Sequence, residues 1–517
     1  MARRLWGLAA TTLTAVALVT SASCNPAAQS GSSQDGGDGG STLVIARTAD
    51  VDVLDPHRAT AFQTVQALGL VYDSLLTTDA KGELAPRLAQ HWNVSKDGKT
   101  VSFTLRKGVK FHNGDPLTAT DVKASLERVL DPKTAGVGAS NLASVKTVDT
   151  RSDHQVVLHL SKPDSALLYA LTSVNTSIVD HASIKSNGKL PRKPNGTGPY
   201  RFGERKQGSQ LTLEANKAYW GTKPEIDKIQ IRVIPSESSI LSGMRSGAFD
   251  LGLITDPSVA HQVKGGKVDL VKKPSLPYHA LMLNGRHHPL DKLKVRQAIA
   301  CALDRQQVID TALDGDGKVT GPITSPAFSY PPTAGLPCNA PDTAKAKQLL
   351  SQAGYPDGFK VDCLVPTGLW ATGVAEAENV QAQLAKVGVQ LTLNKEPSNV
   401  YVQDWLKADF DTTIARNGGS YNPYLMYGRY FTTGGSLKKP AGLTSDELSS
   451  LLAKGNAQTS TDAQRQTYQQ LQKQMLHLSP WVWILQEEAY YLVGSDVHGF
   501  QPMPDESLRP LVNASVG

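Results

Sequence analysis

The chain has 517 residues, 40% of them hydrophobic and 19% charged. That is enough apolar content to offset ordering entropy, and too much length for one core, so two or three domains are expected. Its 53 basic and 47 acidic residues leave a net charge of only +6, without the basic stripe that neutralises phosphates, which excludes nucleic acid as a partner.

Arg3 and Arg4 precede an apolar run from Leu5 to Val19, which ends in Ser21, Ala22 and Ser23 before Cys24. This layout predicts a signal peptide over residues 1–23, because the run falls short of the roughly 20 apolar residues that cross a bilayer. Cys24 resembles the lipobox cysteine of bacterial lipoproteins, whose thiol receives diacylglycerol. Ser21 stands where leucine is usual, so cleavage without lipidation is the alternative. Residues 24–41 are the attachment cysteine and a tract almost entirely of Gly, Ser, Gln, Asp, Ala and Pro, a composition that makes a flexible tether. Export to the outer face of the cell membrane follows, with the lipid as the sole membrane attachment, or a periplasmic or secreted form without it. Of the other cysteines, Cys301, Cys338 and Cys363, two can pair and one is left over, in any of three ways. None has a zinc-site spacing.

Thr42 to Arg47 reads as a buried strand broken by Asp55-Pro56. From Phe62, the positions Val65, Leu68, Val71, Tyr72 and Leu75 recur at helical spacing and predict an amphipathic helix. Trp92 and Val94, the turn Lys96-Asp97-Gly98, and the alternating Val101, Phe103 and Leu105 predict a hairpin. After a turn at Asn113-Gly114, Thr118 can cap a helix whose stripe is Val122, Leu126, Val129 and Leu130. Leu211 with Leu213, and Ile229, Ile231 and Val233, read as strands. Val295, Ile299, Ala302 and Leu303 mark a helix. Asp342 can cap another that ends at Gly354, and a further helix runs through Val380 and Leu384 to Gly388, before a strand at Val389, Leu391 and Leu393. Helix, glycine and strand in succession indicate mixed α/β layers.

Catalytic motifs are absent: there is no G-x-S-x-G elbow, H-E-x-x-H or phosphate-binding Gly-Lys loop. Gly196-Thr197-Gly198 is too short for a dinucleotide fingerprint. His287-His288 lacks an i,i+4 partner and reads as loop surface rather than a metal site. No cofactor or metal is expected, and an exported hydrolase, the remote alternative, has no motif behind it.

The stretch from Leu75 to Arg128, with Pro86, Trp92, the Asp97-Gly98 turn and LRKGVKFHNG up to Gly114, is similar to the opening signature of family 5 of the bacterial extracellular solute-binding proteins. These are the oligopeptide- and dipeptide-binding proteins of ABC importers. GTGPYRF at Gly196–Phe202, EANKAYWGTKP at Glu214–Pro224, LNGRHHPLDKLKVRQAIACALDR at Leu283–Arg305, AKQLLSQAGYPDGF at Ala346–Phe359 and PWVWILQ at Pro480–Gln486 resemble further blocks in the family's order.

The resemblance implies an α/β, two-lobed periplasmic-binding-protein-like fold (type II, cluster C) with an extra domain inserted in the first lobe. Lobe I would take 42–66, 199–278 and 488–517, the inserted domain 67–198, and lobe II 279–487. It implies a monomeric, non-enzymatic receptor that captures a peptide or peptide-like ligand by cleft closure and delivers it to ABC importer permease subunits. Thr60, Ala61 and Phe62 resemble the segment that pairs edge-on with an extended ligand, and Tyr401 an aromatic wall. The family's W-x-x-D-Y stretch reads here Asn417, Gly418, Gly419, Ser420 and Tyr421, followed by Asn422. Ser420 replaces the acid that meets a ligand's α-ammonium, so the same fold carrying a metal chelate, opine, sugar or other small molecule is the alternative.

Overall fold

The structure, a computed structural model, describes residues 40–185 and 188–517. The signal-peptide, lipid-attachment and most of the tether expectations therefore lie outside the described residues. The last tether residue is held: the Ser41 backbone N–H donates to Asp227 at 3.0 Å. Among the described residues no helix is long and apolar enough to cross a membrane.

An eleven-stranded sheet forms the backbone of the fold. In spatial order it runs Val389–Pro397, Phe359–Thr367, Thr412–Asn417, Val268–Leu283, Trp481–Gly494, Leu251–Ile254, Thr42–Arg47, Lys228–Val233, Gln210–Ala215 and Tyr200–Lys206, and the short strand Lys318–Val319 pairs with Trp481–Gly494. Parallel pairs occur where a helix connects the strands. Lys228–Val233 and Leu251–Ile254 both flank Thr42–Arg47 in parallel and are joined through the helix Glu237–Ser246, while Phe359–Thr367 pairs in parallel with Val389–Pro397 through the helix Gly373–Ala385. The two longest strands, Val268–Leu283 and Trp481–Gly494, run antiparallel, and their register breaks between Pro274 and Tyr278. Side chains and loops take over the bonding there. Thr324 Oγ1 donates to the Leu276 carbonyl at 2.7 Å, Gln486 Nε2 to the Ser275 carbonyl at 2.6 Å, and the Leu276 N–H donates to the Pro504 carbonyl at 2.9 Å.

Separate cores lie along this sheet. Leu43, Ile45, Ile229, Ile231, Leu251 and Tyr491 pack at one end; Leu281, Val295, Ile299, Leu350, Val361, Val380 and Leu384 pack at the other. Beside the latter, Tyr427, Tyr430, Phe431, Trp481 and Trp483 form an aromatic cluster with ring centroids 5.1–6.3 Å apart. A second sheet, in the order Ala89–Val94, Thr100–Leu105, Gln155–Leu160 and Val145–Ser152, has its own core: Val101, Phe103 and Leu158 pack with Val122, Leu126 and Val129 of the helix Ala119–Leu130.

The hairpin forms as its alternation predicts, with Trp92 opposite Phe103 and Gly98 at φ +67°. The backbone N–H of Thr118 donates to Asp121 at 2.7 Å, and the Asp342 carboxylate accepts the N–H of Lys345 at 2.8 Å, each at the start of its helix. The helix expected from Phe62 through Leu75 is shorter than its periodicity: it spans Phe62–Leu68. Beyond Gly69 the carbonyls of Leu70 and Val71 accept the N–H groups of Tyr200 and Gly198 at 3.0 and 2.9 Å, so the apolar residues that follow are buried without being helical.

That contact explains Gly196-Thr197-Gly198. A Cβ at Gly196 would lie 2.0 Å from the Val71 carbonyl oxygen, and one at Gly198 would lie 2.5 Å from that of Leu70; the glycines permit backbone approach. Between them, Thr197 Oγ1 donates to the fully buried Asp73 at 2.9 Å, which also accepts Trp220 Nε1 at 3.0 Å and Arg87 Nε at 2.6 Å. Three of the sequence blocks thus meet on one structural carboxylate.

The cysteine pairing left open by sequence is Cys301 with Cys338, and Cys363 is free and buried. His287 and His288 lie at the surface on Asp411 and Asp291, at 2.9 and 3.1 Å, as loop residues with carboxylate partners.

Candidate functional site

A cavity of about 970 Å³ opens beside the break in the long-strand ladder. Phe62, Val65, Gln66 and Gly69 contribute from the first helix, Lys162, Asp164 and Tyr169 from the segment after the small sheet, and Leu276 from the break itself. Gly419, Ser420 and Tyr421 precede the helix Pro423–Phe431, which adds Tyr424 and Arg429; Asp505 and Arg509 arrive from the C-terminal segment. Phe62, at 49% exposed, presents its ring as an apolar surface.

The loop 418–422 is held rigidly for a segment without regular structure. Gly419 adopts φ +68°, and a Cβ there would lie 2.1 Å from the Leu276 carbonyl oxygen, so only glycine fits. Ser420 Oγ accepts the N–H of Asn422 at 3.2 Å. Asn422 Oδ1 caps the next helix through the N–H groups of Tyr424 and Leu425 at 2.9 and 3.4 Å, with Pro423 at its first position. Tyr421 is buried against Gly82, which has φ +79°.

Of the residues singled out from sequence, Phe62, Gly419, Ser420 and Tyr421 lie on this cavity wall. Thr60 and Ala61 do not: both donate to Asp52, at 3.0 and 3.3 Å, and the Ala61 carbonyl accepts the N–H groups of Thr64 and Val65 as the helix begins. That carbonyl is committed to the helix, while Ala59 and Ala61 keep extended backbone angles on either side of Thr60. Tyr401 also lies off the wall. It is 5% exposed, donates to the Ile414 carbonyl at 2.8 Å and packs on Leu364 and Phe410, because it sits on the inward face of the helix Ser398–Lys407. Asn417 is a strand residue whose Oδ1 accepts the Tyr430 hydroxyl at 2.9 Å, Asn422 is a cap, and Gly418 sits in open space.

Sequence reasoning missed Lys162, Asp164, Tyr169, Arg429, Asp505 and Arg509, which come from three distant parts of the chain. The charges among them are unequally satisfied. Arg509 pairs with Asp505 at 2.8 Å and donates to Thr77 Oγ1 at 3.0 Å. Asp164 accepts Asn456 Nδ2 at 2.9 Å, and Asn456 in turn accepts the Ala166 N–H at 2.8 Å, tying this segment to the helix Asp446–Ala457. Burial raises the Tyr169 hydroxyl to about 12 and keeps it neutral.

A charged network lies where the long strands cross the break. His279 Nδ1 meets both oxygens of Glu376 at 2.8 and 2.9 Å, and its Nε2 meets Glu487. Glu376 also accepts Trp370 Nε1 and Thr372 Oγ1, at 3.1 and 2.6 Å, and Glu487 binds Arg416 at 2.5 and 2.8 Å. Burial opposes charge on His279, but the two carboxylates outweigh it and raise the imidazole to about 9. Nearby, burial first and the Glu487 charge second raise Glu506 to about 7.

The profile of bacterial extracellular solute-binding proteins, family 5 (middle region), matches residues 83–438. The chain belongs to this family. Among its family 5 relatives, the dipeptide-binding protein of Escherichia coli (strain K12) is 30% identical over 387 residues, 68% of this chain and 70% of that protein. The probable D,D-dipeptide-binding periplasmic protein of the same strain is 27% identical over 483 residues, 89% and 91% of the two chains. Among solved structures, the periplasmic binding protein AgaA of A. tumefaciens R10 in complex with agropinic acid is similar, with TM-score 0.75 and 28% identity over 92% of this chain and 99% of that one. The fold is thus the two-lobed α/β architecture of family 5, whose members bind solutes rather than transform them and work outside the cytoplasm.

Proposed function

We propose that this chain is the extracellular receptor of an ABC importer, capturing a peptide or peptide-like solute in the cavity beside the strand break and delivering it to permease subunits. The observation that carries the reading is the cavity itself: about 970 Å³, roomy enough for a short peptide and walled from both sides of the break. In this reading lobe I comprises 42–66, 199–278 and 488–517, the inserted domain 67–198, and lobe II 279–487. The ladder interruption at 274–278 supports a hinge there, since two strands crossing between lobes allow closure with few dihedral changes. The chain acts as a monomer and is no enzyme. It is exported behind a signal peptide and held at the membrane by lipid on Cys24.

A second reading keeps the fold and changes the cargo to a non-peptide solute. Ser420, whose hydroxyl already accepts a backbone N–H, favours it, as does the agropinic acid in the AgaA complex. A melting-shift screen separates the two. A ligand at a hundredfold over its Kd adds about 2.7 kcal/mol, so the first reading expects a rise with short peptides or blocked peptides. A rise with sugars or metal chelates, and with no peptide, would transfer the assignment to the second.

A further inference from the structure

The charges on the cavity wall do not balance locally. Asp505 is paired with Arg509, and Asp164 is engaged by Asn456 and by the Leu167 N–H at 3.3 Å. Arg429 and Lys162 are the contrast. Each lines the cavity and is exposed to it, and neither has a carboxylate partner among the described residues. Arg429, on the last turn of the helix Pro423–Phe431, has its guanidinium 5.0 Å from the centre of the Tyr430 ring. The ring contact and a hydrogen bond with the Tyr430 hydroxyl position the side chain, and the remaining donors of its five N–H groups suit a carboxylate.

Resting on the capture reading above, we propose that the ligand of this cavity is a small carboxylate lacking a free α-ammonium, with its anionic group bound by Arg429 and attracted by Lys162. The physical reason is desolvation on capture. When the cavity closes over a ligand, a guanidinium that loses water without gaining an anion becomes an uncompensated buried charge, whereas a carboxylate forms short charge-assisted hydrogen bonds with it. A concave wall also concentrates the field of unpaired cations and raises the local concentration of anions. An ammonium is less favoured: the charged lining residues are three cations, Lys162, Arg429 and Arg509, against two carboxylates, Asp164 and Asp505, Asp505 is already paired with Arg509, and the Ser420 hydroxyl carries no charge to offset an ammonium. An N-acylated acidic dipeptide satisfies both conditions.

The test uses the full chain, freed of bound solute, and three probes measured by calorimetric titration: N-acetyl-Asp-Glu, unblocked Asp-Glu, and neutral N-acetyl-Ala-Ala-amide. The expected order places N-acetyl-Asp-Glu about tenfold or more tighter than either of the others. Arg429→Gln should weaken that probe by about tenfold or more, Lys162→Gln by less, and its affinity should fall as salt rises whereas that of the neutral probe should not. Both side chains are exposed, so the ligand-free melting temperature of each variant verifies that it folds. Tighter binding of the neutral or the free-amine probe, with Arg429→Gln silent, overturns the inference while peptide capture stands. Binding of none of the three overturns both.

Discussion

Replacing His279 by alanine should cost about 3–5 kcal/mol of unfolding free energy, because removing one partner of a buried ion pair leaves the other charge uncompensated. His279 is 2% exposed and Glu376 fully buried, and the Glu487 carboxylate on the other ring nitrogen would then repel Glu376 with no cation between them. The pH dependence has a definite sign. The imidazole is raised from its ordinary 6.5 to about 9 in the folded protein, so its stabilisation is complete below about 6.5 and disappears as pH climbs through 9. Glu376 and Glu487 are depressed by His279 and Arg416 against the opposing effect of burial, so their contribution is present above 4.5 and is lost on acidification below it. Glu506, raised to about 7, binds its proton more tightly when folded, and stability therefore declines as pH rises from 4.5 to 7. Urea unfolding should show a maximum near pH 5 in the native chain and a flattened decline between pH 7 and 9 in His279→Ala. An unchanged alkaline slope in the variant would remove His279 from this account.

Loss of the Cys301–Cys338 disulfide should cost about 3–4 kcal/mol. The bridge closes a loop with a sequence separation of 37, and the chain-entropy estimate for a loop of that size is about 4 kcal/mol. Its anchors differ: Cys301 is fully buried on the helix Leu293–Ala302, whereas Cys338 lies in the irregular segment before the helix Thr343–Gln352. Cys338, like Leu336, is only partly buried where it packs against the core of Val295, Ile299 and Leu350, and the covalent link adds to that packing as a restraint on the segment. The double variant Cys301→Ala/Cys338→Ala should unfold at lower urea. Equal midpoints for the oxidised native chain and the variant would show that the bridge is energetically idle.

Local signals in the sequence carried the elements and stopped at long-range geometry. A short apolar run located Thr42–Arg47, alternation located Thr100–Leu105 and Lys228–Val233, and the cap residues Thr118 and Asp342 marked helix starts. Periodicity overran at Val71, Tyr72 and Leu75, which are buried as a helix face would be. The carbonyls of Leu70 and Val71 serve residues about 130 positions later, and no window around them could reveal that. The cysteine pairing was hidden for the same reason, since it depends on where the chain returns rather than on spacing.

For the candidate site, resemblance led to Gly419, Ser420 and Tyr421, whose loop is fixed by a glycine conformation and an asparagine cap. It offered no route to Lys162, Arg429 or Arg509, which are ordinary surface charges until the fold brings them to one wall. Tyr401 illustrates the converse. Its aromatic character suits a ligand wall, but helical phase turns it onto Leu364 and Phe410.

Mass spectrometry of the solute released from the purified full chain tests the central claim most directly. Capture of a peptide-like ligand predicts one small molecule per chain, built of amino acids or a blocked derivative of them. Release of a sugar or a metal complex alone would contradict it.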